Sequence, residues 1–254
     1  MSAPGDGPNG KHFLDLQGAT LLRTPFWVIG RESLHQTVAR QAICAITGPP
    51  GSGKTFLLDT VQPEFDRPVL RFEPEEDPTM LSITEQMLFE LTGDEGGKRA
   101  SKHKKVRPLI EALRTPKIVI VDEAQRMDRR CLDHLRYLYE HRESDFCLIL
   151  AGGEGCWARI GAEPHLRRRV YRHTAFRYLN LDEVRTLLPK YHAVWKTEQR
   201  VIDVIDSHFA QGMAGNWASI TVTATTTRKE NSKPVTMAEV PALLLWHGID
   251  WPGT

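Results

Sequence analysis

"AITGPPGSGKTFLLDT", residues 45–60, joins an apolar run to a helical pattern through a loop of small and imino residues. Gly48, Gly51 and Gly53 open the backbone to left-handed and extended conformations that side chains disfavour. Lys54 and Thr55 follow at once, with Phe56, Leu57 and Leu58 starting an apolar helical face. A chain keeps such a loop where several backbone N–H groups must converge on an anion, because side chains would block their approach. The helix starting at Lys54 adds the positive end of its dipole. Gly48-x-x-x-x-Gly53-Lys54-Thr55 therefore fits the P-loop pattern, with a strand predicted before it and a helix after it.

That loop predicts a nucleoside triphosphate site. Gly48, Pro49, Pro50, Gly51, Ser52, Gly53, Lys54, Thr55 and Phe56 are the expected cradle. Lys54 reaches the β- and γ-phosphates, and the Thr55 hydroxyl is a ligand for Mg²⁺. The second half of the chemistry lies in KIVIVDEAQR, residues 117–126. Asp122, at the end of a β-branched strand, is the second expected Mg²⁺ ligand, and Glu123 is placed to orient or deprotonate an attacking water. Acids at the carboxyl end of a parallel strand stand where open α/β sheets bind ligands. ATP and Mg²⁺ are thus the expected substrate and cofactor, and ATP hydrolysis the expected activity.

Working outward, apolar runs alternate with helical patterns between about residues 40 and 155. AICAIT (42–47), PVLRFEP (68–74), KIVIVDEA (117–124) and FCLILAGG (146–153) read as strands. They are near-continuous apolar runs rather than alternating ones, the signature of a parallel sheet covered on both faces. Helices are predicted over 33–41, 54–61, 79–93, 106–114 and 127–142, the last with Leu132, Leu135 and Leu138 inward. After residue 178 the pattern is of short helices only. ITVTATTT (220–227) stays open between helix and strand, because β-branched residues dominate it. The expected organisation is a flexible tail over 1–19, a three-layer α/β/α nucleotide-binding domain over 20–178, and a small helical lid over 179–254.

The 254 residues carry a net charge of only +1, so bulk charge does not attract a polyanion. The charge is uneven, however. KRASKHKKVR (98–107) and LRRRVYRH (166–173) contain no acid. Local basic runs of this kind fit a nucleic acid partner, and a solvated loop and helix face is the alternative reading. Lys102, Lys104, Lys105 and Arg107, then Arg129 and Arg130, are the candidate DNA contacts. With no aromatic residue in the 98–107 run, phosphate contact is expected rather than base stacking. Trp27, Trp157, Trp195 and Trp217 read as core, and His134 and His141 as helix surface. The four cysteines show no metal spacing; Cys44 and Cys147 read as buried thiols. No apolar run is long enough to cross a bilayer and the N-terminus shows no apolar leader, so the cytoplasm is the expected location.

The DE pair, IGRE (29–32) and the helical tail resemble an AAA+ ATPase. Within that class, CLILAGGEGCWARIGAEPHLRRRVYRHTAFRYLNLDEVRTLL (147–188) resembles the transposition ATPases of the TniB/TnsC type and their Mu B-like relatives. The resemblance spans roughly residues 20–225. It implies a regulator that self-assembles into a ring or filament on duplex DNA and recruits or activates a transposase. It also implies an arginine finger acting on a neighbour's γ-phosphate, with Arg169 the candidate and Arg167 and Arg168 its alternates. The chain departs from the family at two places. Gly153, or Glu154, stands where a polar sensor is usual, and Ala218, in GMAGNWASI (212–220), stands where a lid arginine is expected. Both departures imply slow turnover. A helicase-loader or initiator-type ATPase, and a signalling module that holds nucleotide as a switch, are the alternatives.

Overall fold

The computed structural model describes residues 16–93, 102–228, 230 and 233–251, the side chains of 102–104 excepted. The chain divides into two compact units. One comprises Val28–Pro50 and Leu57–Phe176; the other comprises Met1–Trp27, Gly51–Phe56 and Arg177–Thr254.

The first unit is built on a five-stranded sheet of β1 (Ile43–Thr47), β2 (Val69–Phe72), β3 (Lys117–Val121), β4 (Phe146–Gly152) and β5 (Val170–Ala175). Their order is β2-β3-β4-β1-β5, and every pairing is parallel. The apolar runs explain the arrangement: β1 and β4 are buried at every residue, which only a sheet covered on both faces allows. On one face Ile43, Ala45, Val119, Val121, Leu148 and Leu150 form a core with α3 (Met80–Thr92), α4 (Lys102–Ala112) and α5 (Arg129–Glu140). The alternate residues Cys44, Ile46, Ile118, Ile120 and Ile149 are equally buried on the other face. There α1 (Pro25–Ala39) packs, with Thr37 hydrogen-bonded to Cys44. Burial pushes both the Cys44 and Cys147 thiols up to about 12, as expected of inert core cysteines.

Local chemistry sets the helix ends. Thr79 and Ser82 form a reciprocal cap at the start of α3, and Gly93 ends it at φ +71°. Asp128 accepts from the Cys131 N–H at 2.8 Å and starts α5. Leu132, Leu135 and Leu138 face inward as predicted. His134 does not lie on the surface: it is buried, with Nε2 2.8 Å from the Thr84 hydroxyl. The expected basic loop also differs, because its second half is helical from Lys102 onward. Residues 94–101, which include Lys98 and Arg99, lie outside the described residues.

Strand β5 starts inside LRRRVYRH, runs on to Ala175, and has no counterpart in the predicted elements. Its one buried residue is Thr174, whose hydroxyl donates to Ser33 Oγ at 3.1 Å. An edge strand with solvated side chains lacks the apolar signal by which the central strands are read.

The second unit is helical. It contains α8 (Leu181–Tyr191), α9 (Gln199–Ile205), which continues into a π-helical turn at Asp206–Ala210, α10 (Ala214–Thr226) and α11 (Val240–Trp246). The first unit also contains α6 (Cys156–Gly161), α7 (Pro164–Arg167) and most of α2 (Lys54–Val61, begun in the second unit). Trp195 and Trp217 meet edge-to-face at 5.2 Å in the helical core, where the Trp195 indole donates to the Thr221 hydroxyl. ITVTATTT resolves as helix. Thr221, Thr223, Thr225, Thr226 and Thr227 each donate their hydroxyl to the carbonyl four residues back, satisfying the polar side chain inside a helix. Among the described residues no helix is long and apolar enough to cross a membrane.

Candidate nucleotide site

In the sheet unit, parallel pairing brings the carboxyl ends of β1, β3 and β4 to one edge. Thr47 is level with Gly152, and Val121 with Leu150. Gly48 leaves β1 at φ +153°, and a Cβ there would stand 2.5 Å from the Phe176 carbonyl oxygen. The loop opens with glycine because the neighbouring backbone leaves no room for a side chain. From β3 the chain delivers Asp122 and Glu123 to the same edge. Asp122 is buried, accepts from Arg71 Nη2 at 2.7 Å, and accepts the Glu123 N–H at 3.1 Å. Arg71 also pairs with Asp59 of α2. Burial pulls the Arg71 pKa down, but its hydrogen bonds to Asp122 and Asp59 outweigh this and hold it above the ordinary value.

Glu123 has φ +55° and ψ +38°, a left-handed conformation uncommon for a residue with a Cβ. Such local strain persists where surrounding contacts over-determine it. Here the next turn supplies one. Gln125 donates from Nε2 to Glu123 Oε2, and its Oε1 accepts the Gly153 N–H at 2.7 Å.

The helical unit contains the rest of the predicted loop. Gly51 and Gly53 have φ of +70° and +100°, and the Gly215 N–H reaches the Gly51 carbonyl at 3.4 Å. Ser52 and Lys54 are buried. Within this unit a cavity of about 310 Å³ is bounded at one end by Ser52, Gly53, Lys54 and Thr55. Leu21, Leu22, Trp27, Phe56 and Tyr191 supply its apolar wall. Ala218 lines the cavity too, so the position expected to carry a lid arginine faces this space with a methyl group. Burial pushes the Tyr191 phenol up to about 12, so it lines the wall as a neutral group. A glycine- and lysine-bearing lining joined to an apolar wall is chemistry suited to a nucleotide pocket.

Residues 36–160 match the family model described as AAA domain. The fold is a P-loop AAA+ fold. Solved structures agree at low identity. The ORC1 protein of Aeropyrum pernix, solved in complex with DNA, superposes with a TM-score of 0.67 at 13% identity, over 93% of this chain and 69% of that one. Cdc6p of Pyrobaculum aerophilum gives 0.67 at 14% identity, over 93% and 70%. The ORC2 protein of Aeropyrum pernix, solved as ADPNP–ADP complexes, gives 0.63 at 15%, over 92% and 70%. No curated protein sequence matches the chain.

The basic candidates separate on inspection. Lys105 corrects the expectation: its side chain is 2% exposed and its ammonium pairs with Glu85 at 2.6 Å, so it is not presented to a phosphate backbone. Arg107 is 87% exposed, with Glu111 only a loose partner at 3.7 Å. Arg129 is exposed but ion-paired with Glu163, and Arg130 is exposed. The side chains of Lys102 and Lys104 lie outside those described. Arg169 pairs with Glu140 and donates from Nη1 to the His165 carbonyl at 3.3 Å. Arg167 lies 4.0 Å over the Trp157 ring, which stacks on His173 at 3.6 Å. Trp157 is therefore only partly buried, unlike Trp27, Trp195 and Trp217.

The residue-type patterns did not reveal Arg71, Gln125 or the cavity wall at Ala19–Leu22 and Tyr191. A faint signal existed for Arg71, a cation inside the otherwise apolar VLRF strand.

Proposed function

We propose that the chain binds ATP with Mg²⁺, hydrolyses it slowly, and uses bound ATP to assemble on duplex DNA. The observation that carries the reading is the glycine-lined loop closing on buried Lys54 at the polar end of an apolar cavity. The residues present suit a triphosphate: positive-φ glycines free the backbone N–H groups, and Lys54 supplies compensating charge. Mg²⁺, when bound, would be held by Thr55 and Asp122 and would neutralise phosphate charge.

Lys54 binds phosphate oxygens. Glu123 orients the attacking water and takes its proton as the new oxygen–phosphorus bond forms and the bridging bond to the leaving ADP breaks. Arg71 orients the Asp122 carboxylate. Arg169 of one copy stabilises γ-phosphate charge on the next after leaving Glu140. Ala218 supplies no cation to that charge, which supports slow turnover and a switch that persists. Arg107 and Arg130 are the exposed cations best suited to DNA phosphates. The output of the switch is target selection and transposase activation in the cytoplasm, a reading supported by the 147–188 stretch. A second reading, a helicase loader or initiator, is favoured by the likeness to the ORC1 and Cdc6p folds.

The test is electron microscopy of the protein with duplex DNA and a non-hydrolysable ATP analogue. Wild-type protein is expected to form rings or filaments and Lys54→Ala to form none. Full assembly by Lys54→Ala overturns the switch. Co-purification with a replicative helicase rather than a transposase selects the second reading.

A further inference from the structure

Gln125 lies outside the P-loop and the DE pair, yet it touches both ends of the hydrolytic edge of the sheet. Its amide is held at two points. Nε2 donates to Glu123 Oε2, and Oε1 accepts the Gly153 N–H at 2.7 Å. The first partner is the acid after β3, and the second is the backbone just past β4. Gly152 in turn is level with Thr47, the residue before Gly48. The amide therefore ties the Glu123 carboxylate to the strand beside the one that feeds the phosphate loop.

The glycines opposite are shaped around this amide. A Cβ at Gly152 would lie 2.6 Å from Gln125 Oε1, and one at Gly153 would lie 3.3 Å from its Nε2. The absence of a polar side chain at position 153 thus has a physical counterpart, since the space is occupied by the Gln125 amide from the turn after β3. A glutamine amide suits the task. It presents a donor to the carboxylate and an acceptor to the N–H at once, and it carries no charge that would neutralise the acid.

We propose that Gln125 is a positioning residue for ATP hydrolysis, holding the Glu123 carboxylate in register with the carboxyl end of β4. This rests on the hydrolytic reading above. Binding of nucleotide does not require it, because neither partner of the amide belongs to the phosphate loop. Loss of the amide should therefore lower turnover and spare affinity.

The experiment compares steady-state ATP turnover and binding of a fluorescent non-hydrolysable ATP analogue in wild type, Gln125→Met and Gln125→Glu. Methionine keeps close to the side-chain volume and removes both hydrogen bonds, and analogue binding reports that the variant is folded. Gln125→Met is expected to lose kcat by on the order of a hundredfold while analogue affinity stays within about twofold. Gln125→Glu keeps an acceptor for the Gly153 N–H but has no N–H to donate to Glu123, so its kcat is expected to fall as in Gln125→Met, again with analogue affinity within about twofold. Wild-type kcat in Gln125→Met or in Gln125→Glu, or a loss of analogue affinity equal to the loss of kcat, overturns the inference alone. Absence of turnover in the wild-type chain, with the analogue still bound, overturns the hydrolytic reading and this inference with it.

Discussion

Arg71 Nη2 stands 2.7 Å from Asp122 Oδ2, and the same guanidinium pairs with Asp59 through its other terminal nitrogen. One cation from β2 thus orients two acids, one on α2 and one at the tip of β3. The three side chains are only 12–22% exposed, so charge removal here is costly. Arg71→Ala is expected to lose about 2–4 kcal/mol in urea unfolding. Arg71→Lys should fall between, because a point charge cannot bridge two carboxylates as a planar fork does. A wild-type urea midpoint for Arg71→Ala would remove the bridge from the account.

Gly48→Ala tests the closeness of the loop to Phe176. The new methyl would meet a carbonyl oxygen at 2.5 Å, and backbone cannot yield as a flexible side chain does. A loss of about 1–3 kcal/mol is expected, with nucleotide affinity lost alongside. Gly161→Ala is the control: nothing lies within 4 Å of its Cβ position, and its melting temperature should match wild type or exceed it. Equal effects from the two substitutions would contradict the close approach.

Lys105 and Arg107 should part company in DNA binding, though both belong to one basic run. Arg107→Ala is expected to reduce the slope of log affinity against log salt by about one. Lys105→Ala should leave that slope alone and lower the unfolding midpoint, because its ammonium is buried against Glu85. Fluorescence anisotropy across a salt series, with melting curves beside it, reads both effects.

The Arg228–Glu239 pair gives the helical unit an acid-sensitive anchor. Burial alone would raise the Glu239 carboxyl, but hydrogen bonds from Arg228 and from the Thr236 backbone and hydroxyl outweigh it and bring it down to about 2. The folded value lies below the ordinary 4.5, so the pair stabilises fully above pH 4.5 and loses its contribution as pH falls towards 2. Glu239→Gln should therefore melt below wild type at about pH 6 and approach it at about pH 2.5. A constant difference across that range would exclude the linkage.

The central strands were legible because they are near-continuous apolar runs, and β1 and β4 bury every residue as only a doubly covered sheet allows. The glycine-rich loop was legible for a similar reason: its spacing encodes a local backbone geometry, realised in the positive φ of Gly48, Gly51 and Gly53. Strand β5 was not, because its solvated side chains carry no apolar pattern and its pairing comes from β1. Nor was the helical state of ITVTATTT. There β-branched propensity was overridden once the threonine hydroxyls found carbonyls one turn back and Trp217, Ile220 and Ala224 found a core.

Residues 48–55, with Asp122 and Glu123, thus form a pattern read as a phosphate site from local spacing alone, since short-range geometry needs only neighbours along the chain. The partners of those groups are a different matter. Arg71 finds Asp122 across 51 positions, Gln125 finds Gly153 across 28, and Lys105 turns inward to meet Glu85 across 20. Each of these pairs comes from strand order or helix rotation, and no window of residues contains that information. Folding supplied it by bringing distant segments within hydrogen-bond range.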